Sequence, residues 1–416
     1  MAWPLHRGVP HPSAIMKICD LALFDRASSS GVKTYITSKI RYVGRRPHLD
    51  HVVIVPGAAD TVRIEGRSKV ISVRGVPSPC PGVFLGVNLV RIARLVEEEA
   101  PDVIELNCQY RCRGRRFSRR GAAGRQSSAC AHTDVPACAR HWARHAGPVV
   151  AAAVERLVEF YEGLIYRHCT LTIALNDSMS DRIARLGVRR MRCIPCGVDP
   201  ETFHPGRRDP RFRERLGISP DQTVIFYAGR LSPEKSSTCS SRRSIGLRPA
   251  RSCWLSPVTV RTRPRLRRCA AGRPDVRCIG HVESRADLAT AYASADLFVT
   301  PGRYETFGMA TLEAICSGLP VVGIEGSGTA SVVPPEGGRM VRAGDAAALA
   351  DAIVGVATWD AAATRDACHR FAANRFPWDR IFDEYVAAYR ELAAAPAFHA
   401  GAARMSAITT ARRVGP

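Results

Sequence analysis

Short apolar runs that stop at small-residue turns and lead into helical stretches recur along this 416-residue chain. Residues 17–24, 52–56, 70–73, 101–106, 171–175, 192–195, 224–228, 276–282 and 297–301 read as strands. Helical patterns begin at Val32 and cover 83–99, 151–168, 176–186, 287–295, 309–317 and 381–393. Asn176 or Asp177 is placed to cap the helix it opens. Strands alternating with helices build parallel, doubly wound sheets, so the predicted class is α/β. The length accommodates two such domains.

One run carries more chemistry than any other. Pro301-Gly-Arg-Tyr-Glu305-Thr-Phe307-Gly308-Met309 leads into a helix that carries Glu313 and ends at Gly318 and Pro320. The amides of Phe307, Gly308 and Met309 would open that helix, where free N–H groups and the positive dipole end attract an anion. Gly308 lacks the Cβ that would obstruct close approach. Glu313, in the second turn, can grip two vicinal hydroxyls such as those of a ribose, and Glu305 faces the same pocket. A surface glutamate and a helix-stabilising glutamate are the plainer reading of the pair, and the surrounding run argues against it.

Two further constellations fit an anionic sugar ligand. The first strand leads through Ser30 and Gly31 into a helix, a usual place for a phosphate or a sugar. The strand at 224–228 leads into Gly229-Arg230, with Lys235 five residues on. Two cations at a strand end suit a diphosphate leaving group. His132, in His132-Thr133-Asp134, would if taken alone more often be structural.

The Glu305–Glu313 run resembles the signature of glycosyltransferase family 4 (group 1), in its bacterial mannosyltransferase-like members. That resemblance implies a retaining enzyme of the GT-B fold, with two Rossmann-like domains facing across a cleft. It implies that Glu305 contacts the donor sugar's hydroxyls, Glu313 the ribose, and the Phe307–Met309 amides the phosphates and sugar. Arg230 and Lys235 match the family's Arg-x4-Lys pair, and His132 its His-x-Asp element beside the donor sugar. The family's loop between donor and acceptor is usually Gly-Gly-Val; here Ser30 takes the first glycine's place before Gly31 and Val32. Gly197-Val198-Asp199 resembles the interdomain linker and residues 337–341 the short closing strand. The implied organisation is an acceptor-side domain over 16–195, a nucleotide-sugar domain over 196–375, and a helix over 376–395 crossing back to the first domain. Residues 1–15 and 396–416 read as disordered tails.

Charge is unevenly placed. The formal net charge is +22. Residues 111–130 hold seven arginines and residues 236–273 ten, with no acid in either. Neither segment shows helical or strand periodicity, yet both fall where a doubly wound fold needs core elements. We read them as stretches translated in a shifted frame. Under one common shift, the segment after Lys235 reads as an amphipathic helix start, and the segment at 254–263 as a strand with a Gly-Asp-Gly-Pro turn. Under the same shift, 126–130 reads Val-Val-Gly-Val, a strand running into His132. The chain as written is then expected to lose core strands in both domains and to be poorly folded or inactive. Basic RNA-binding loops are the competing reading, but the aromatic interleaving that base stacking needs is absent, so no nucleic-acid partner is expected.

The expected partners are a nucleotide-diphosphate sugar, GDP-mannose first and a UDP-hexose next, and a lipid or glycan acceptor. Lys33, Lys39, Arg41, Arg45 and Arg46 offer a contact for an anionic membrane surface, with a solvated helix face as the plainer alternative. No apolar run approaches the ~18 residues of a membrane span, and residues 1–15 lack a signal peptide's apolar centre. The expectation is a cytoplasmic protein, peripheral on the inner membrane face. Neither metal nor cofactor is expected. The 15 cysteines lack framework spacing and read as free thiols, with Cys193-Ile-Pro-Cys196 a lone pair. The alternatives are an inactive frame-shifted remnant, or a sugar-nucleotide epimerase or phosphorylase on the same fold.

Overall fold

The computed structural model describes residues 15–22, 24–26, 31–77, 83–86, 88–107, 126–229, 252–257, 276–280, 282 and 284–394. Ser30, Arg230 and Lys235 lie outside the described residues. So do most of both arginine-rich segments and, apart from Ile15, both expected tails.

The first half of the chain forms β1 (Met16–Leu21), β2 (Phe24–Arg26), α1 (Gly31–Gly44), β3 (Leu49–Gly57), β4 (Thr61–Glu65), β5 (Ser68–Arg74), β6 (Val76–Pro77), β7 (Val83–Leu85), α2 (Leu89–Glu99) and β8 (Val103–Leu106). It continues through β9 (Gln126–Cys130), α3 (Val135–Ala143), α4 (Pro148–Tyr166), β10 (Leu171–Ala174), α5 (Asp177–Arg185) and β11 (Met191–Cys193). The second half holds α6 (Phe212–Arg215), β12 (Thr223–Phe226), β13 (Ser252–Pro257), β14 (Val276–Gly280), α7 (Arg285–Ser294), β15 (Leu297–Val299), α8 (Met309–Cys316), β16 (Val321–Ile324) and β17 (Gly338–Val341). Three helices close the described chain: α9 (Ala346–Ala357), α10 (Ala361–Arg375) and α11 (Trp378–Ala394).

The strands make two large sheets. The first has the order β11-β10-β9-β8-β1-β3-β5-β4 and is parallel but for the β4–β5 hairpin. The second is wholly parallel, in the order β14-β13-β12-β15-β16-β17. Numbered within that domain, its order is 3-2-1-4-5-6, that of a dinucleotide-binding sheet. The strand order reverses between β12 and β15, and in open α/β sheets the crevice at such a reversal takes the ligand. Residues after β12 run to Gly229, and residues after β15 run to Glu305. In the first sheet the reversal lies between β1 and β8. Strand β3 is buried along most of its length, as a parallel strand covered on both faces should be.

Residues 83–99 are not the single helix expected. Val83–Leu85 pairs antiparallel with β2, and the helix starts anew at Leu89. The Asn88 side chain accepts from the Arg91 amide at 3.1 Å, a local cap that sets the helix start six residues late. The arginine-rich segments also depart from expectation, because each contributes a core strand. β9 lies between β8 and β10, and β13 between β12 and β14. Ladder hydrogen bonds come from the backbone, so strand placement tolerates unsuitable side chains; the misfit shows in the side chains of β9. Gln126 and Ser128 are buried there, and the Ser128 Oγ has no hydrogen-bond partner.

Two chain crossings join the domains side by side. The Val198 amide donates to the Phe376 carbonyl at 2.7 Å, and the Trp378 amide to the Val198 carbonyl at 3.2 Å. Gly197 makes this pairing feasible, since a Cβ there would come within 2.6 Å of the Trp378 indole and 2.9 Å of its Cα. Beyond the crossing, α11 packs on α1. Trp378 stacks on Phe382 at 5.0 Å, and Tyr35 touches Trp378, Phe382 and Tyr385. The Tyr42 hydroxyl donates to Asp383 at 2.6 Å. Cys193 and Cys196 form no disulfide; Cys193 is exposed and Cys196 buried.

Candidate active site

Helix α8 is the centre of the site. Its N-cap, Gly308, has φ +89°, a conformation that favours glycine, and it provides no side chain to cap the helix. The first-turn amides therefore keep their donor capacity for a ligand. A Cβ at Gly308 would approach the hydroxyls of Thr311 and Thr329 at 3.2 Å. The Thr329 Oγ1 is buried and has no partner. Phe307 is buried, whereas Met309 and Glu305 are partly exposed.

Across the cleft lies the start of α1. A Cβ on Gly31 would sit 3.6 Å from Met309 Cγ. The N-termini of α1 and α8, one from each domain, thus meet at one place with their positive ends together. That arrangement suits a diphosphate. Gly229 ends the β12 turn, and a Cβ there would meet the Tyr227 hydroxyl at 2.9 Å.

Glu313 is 7% exposed. Arg285 Nη2 donates to its Oε1 at 3.1 Å, and the Arg285 guanidinium lies 4.8 Å over the Phe203 ring. Burial pushes the Glu313 carboxyl above its usual range, and Arg285 partly opposes the shift. Arg285 escaped the sequence reading, although Ser284 and Asp287 spell out a helix cap there, with the Ser284 Oγ accepting from the Asp287 amide at 3.2 Å.

His132 follows β9 and is partly buried. Its Nε2 hydrogen-bonds the Asn107 Oδ1 at 2.7 Å, and its ring meets Tyr35 edge-on at 5.0 Å. Burial lowers the imidazole pKa to about 4, so the ring is neutral near pH 7. Asn107 sits at the β1–β8 reversal, with its amide donating to the Leu21 carbonyl at 2.9 Å. Its Nδ2 is buried without a partner.

Beneath this wall lies a buried polar cluster. Lys39 Nζ donates to Asp20 at 2.9 Å and to Glu105 at 3.1 Å. His51 Nε2 contacts Asp20 Oδ2 at 2.8 Å, and the Tyr35 hydroxyl donates to Glu105 at 3.2 Å. Burial raises Glu105 to about 7 against the pull of Lys39. Burial would raise Asp20 too, but Lys39 and His51 outweigh it and hold that carboxyl below its usual range. Lys39 is only 2% exposed, which corrects the expectation that it meets a membrane. Arg45 pairs with Asp379 and Arg46 with Asp383, while Lys33 and Arg41 are exposed.

The structure brings Gly31, Glu305, Phe307, Gly308 and Met309 to one cleft and leaves His132 on its first-domain wall. Two doubly wound domains, a paired crossover and a helix N-terminus aimed between them define the GT-B architecture. Residues 29–202 match the family model described as Glycosyltransferase Family 4, and residues 222–358 match that of Glycosyl transferases group 1. The chain belongs to the family 4, group 1 glycosyltransferases.

A GDP-mannose-dependent alpha-mannosyltransferase of Corynebacterium glutamicum is 27% identical over 312 residues, 73% of this chain and 71% of that protein. A GDP-mannose-dependent alpha-(1-6)-phosphatidylinositol dimannoside mannosyltransferase of Mycobacterium tuberculosis is 27% identical over 335 residues, 78% of this chain and 83% of that protein. Among solved structures, the sucrose-phosphate synthase of Thermosynechococcus elongatus superposes with a TM-score of 0.73 at 18% identity, covering 91% of this chain and 99% of its own.

Proposed function

We propose that this chain transfers a hexose from a nucleotide-diphosphate sugar to a hydroxyl of a lipid or glycan, with retention at the anomeric carbon. The meeting of the α1 and α8 N-termini across the cleft carries this reading. GDP-mannose is the preferred donor and a UDP-hexose the next, on the strength of the mannosyltransferase relatives. Those relatives also favour transfer over epimerisation.

In this mechanism the bond from the anomeric carbon to the diphosphate oxygen breaks, and the acceptor oxygen bonds to the same face. The acceptor proton passes to the leaving phosphate. Arg230, Lys235 and the two helix N-termini stabilise the departing diphosphate. The Phe307–Met309 amides hold phosphate and sugar, Glu313 grips the ribose, Glu305 orients the sugar hydroxyls, and neutral His132 packs beside the sugar. These charges make a metal unnecessary. Calorimetry against GDP-mannose, UDP-glucose and UDP-galactose tests the reading, and binding of none of them would remove it.

A lipid acceptor calls for a surface that meets a bilayer. Trp142, Leu157 and Phe160 on α3 and α4 are 68%, 67% and 60% exposed. Exposed Arg140, Arg144 and Arg156 accompany them. Next to Trp142, the His141 ring lies 5.3 Å from Tyr304, on the loop that leads to Glu305. An apolar face edged with arginines beside the cleft mouth suits the cytoplasmic face of an anionic membrane. Among the described residues, no single helix is long and apolar enough to cross one.

The shifted-frame reading of residues 111–130 and 236–273 is a second proposal. It is favoured by β9, a central strand in a buried position that carries Gln126 and an unpartnered Ser128. Sequencing the locus tests it: no insertion or deletion near codons 110 and 235 would sink it.

A further inference from the structure

The two peptides that flank Thr306 are held from opposite domains. From the second domain, the Gly328 amide donates to the Glu305 carbonyl at 2.7 Å, and a Cβ on Gly328 would collide with the Thr306 carbonyl. From the first domain, Asn176 Nδ2 donates to the Thr306 carbonyl at 2.7 Å. The Asp134 amide donates to the Thr306 Oγ1 at 3.1 Å. Asn176 and Asp134 are also helix N-caps. Asn176 Oδ1 accepts from the Met179 amide at 2.9 Å, and Asp134 Oδ1 from the Ala137 amide at 3.2 Å. Each cap thus spends one polar group on its own helix and another on the opposite domain. The cap bond also fixes the Asn176 amide, turning Nδ2 toward Thr306.

We propose that Asn176 is a positioning residue for the donor sugar. It draws the Thr306–Phe307 peptide, next along from Glu305, toward the first domain, so that the Glu305 carboxylate is set against the sugar only when the cleft is closed. This rests on the assignment of Glu305 to the sugar. Nucleotide binding needs no such bridge, because the groups assigned to the phosphates and ribose lie mainly on the second domain. Asn176 should therefore act on sugar transfer and not on nucleotide affinity.

Asn176→Asp separates the two roles of this side chain. Aspartate caps a helix as well as asparagine does, but a carboxylate cannot donate to the Thr306 carbonyl. With GDP-mannose as donor, kcat/KM should fall about tenfold, equivalent to ~1.4 kcal/mol, with most of the loss in kcat. GDP affinity and Tm should stay at wild-type values. Small-angle scattering should show the unliganded variant more open than the wild type. Thr306→Val, which removes only the Asp134 bond, should give a smaller loss in the same direction. Wild-type kcat/KM and wild-type scattering in Asn176→Asp would overturn the proposal. A parallel fall in Tm and GDP affinity would also overturn it, since that marks a merely structural role. If the wild type binds no nucleotide sugar, the assigned function fails, and the scattering comparison still decides whether Asn176 bridges the domains.

Discussion

Arg285 and Glu313 meet at 3.1 Å on neighbouring helices of the second domain, with the carboxylate almost wholly buried. Without the guanidinium, burial alone would drive Glu313 further toward its protonated form. A protonated Glu313 loses the charge-assisted bonds proposed for the ribose. Glu313→Gln should weaken donor binding by ten- to a hundredfold, the ratio for hydrogen bonds to a charged group. Arg285→Ala should weaken it less and move the onset of tight binding to higher pH. Donor titrations by calorimetry between pH 5 and 8 would check both.

His132 offers a pH signature. Its pKa in the fold is about 4, below the ordinary 6.5, because burial disfavours the imidazolium. Between those values the unfolded chain binds more protons than the folded one, so stability falls as the pH drops from 6.5 to 4. The histidine's share, allowing for its partial exposure, is about 2 kcal/mol. Melting curves of wild type and His132→Gln should converge with acidification, after subtraction of the losses common to both.

Gly197 should tolerate no side chain. A Cβ there would press on the Trp378 ring and Cα, at the point where the two crossings pair. Gly197→Ala is expected to cost ~1–3 kcal/mol by overpacking, read as a lower Tm. Gly147→Ala provides a contrast: its Cβ would meet nothing within 4 Å, so any loss there comes from its φ of +100°.

The α3–α4 face should bind anionic vesicles. Replacing Leu157 and Phe160 by Asp should abolish co-sedimentation with phosphatidylglycerol vesicles, with Tm unchanged, because both side chains are largely exposed. Binding to phosphatidylcholine vesicles should be weak in both proteins. Equal binding of the double variant and the wild type would assign the membrane contact elsewhere.

The glutamate run was readable because its content is local: a strand end, a glycine at a helix start and a carboxylate in the second turn. Asn176 was equally readable as a helix cap. Its second bond, to Thr306 130 residues away, depends on domain closure and leaves no mark in spacing. Arg285 and Asn107 were hidden similarly, by partners 28 and 25 residues distant. Lys39 was misread for a related reason. A lysine on an amphipathic helix looks solvated until β1 and β8, adjacent in the sheet, present Asp20 and Glu105 to it. The break at Asn88 was visible in residue type, but the apolar stretch around it concealed a short strand.

Helix α11 is the last described element of the chain, yet Trp378, Phe382 and Tyr385 complete the packing around Tyr35, near the beginning. During synthesis the first domain must therefore wait, partly uncovered, while the second is made. Its final side wall arrives only with the end of translation. A message cut short between codons 196 and 375 would release a protein with both domains compromised, including the one already fully encoded.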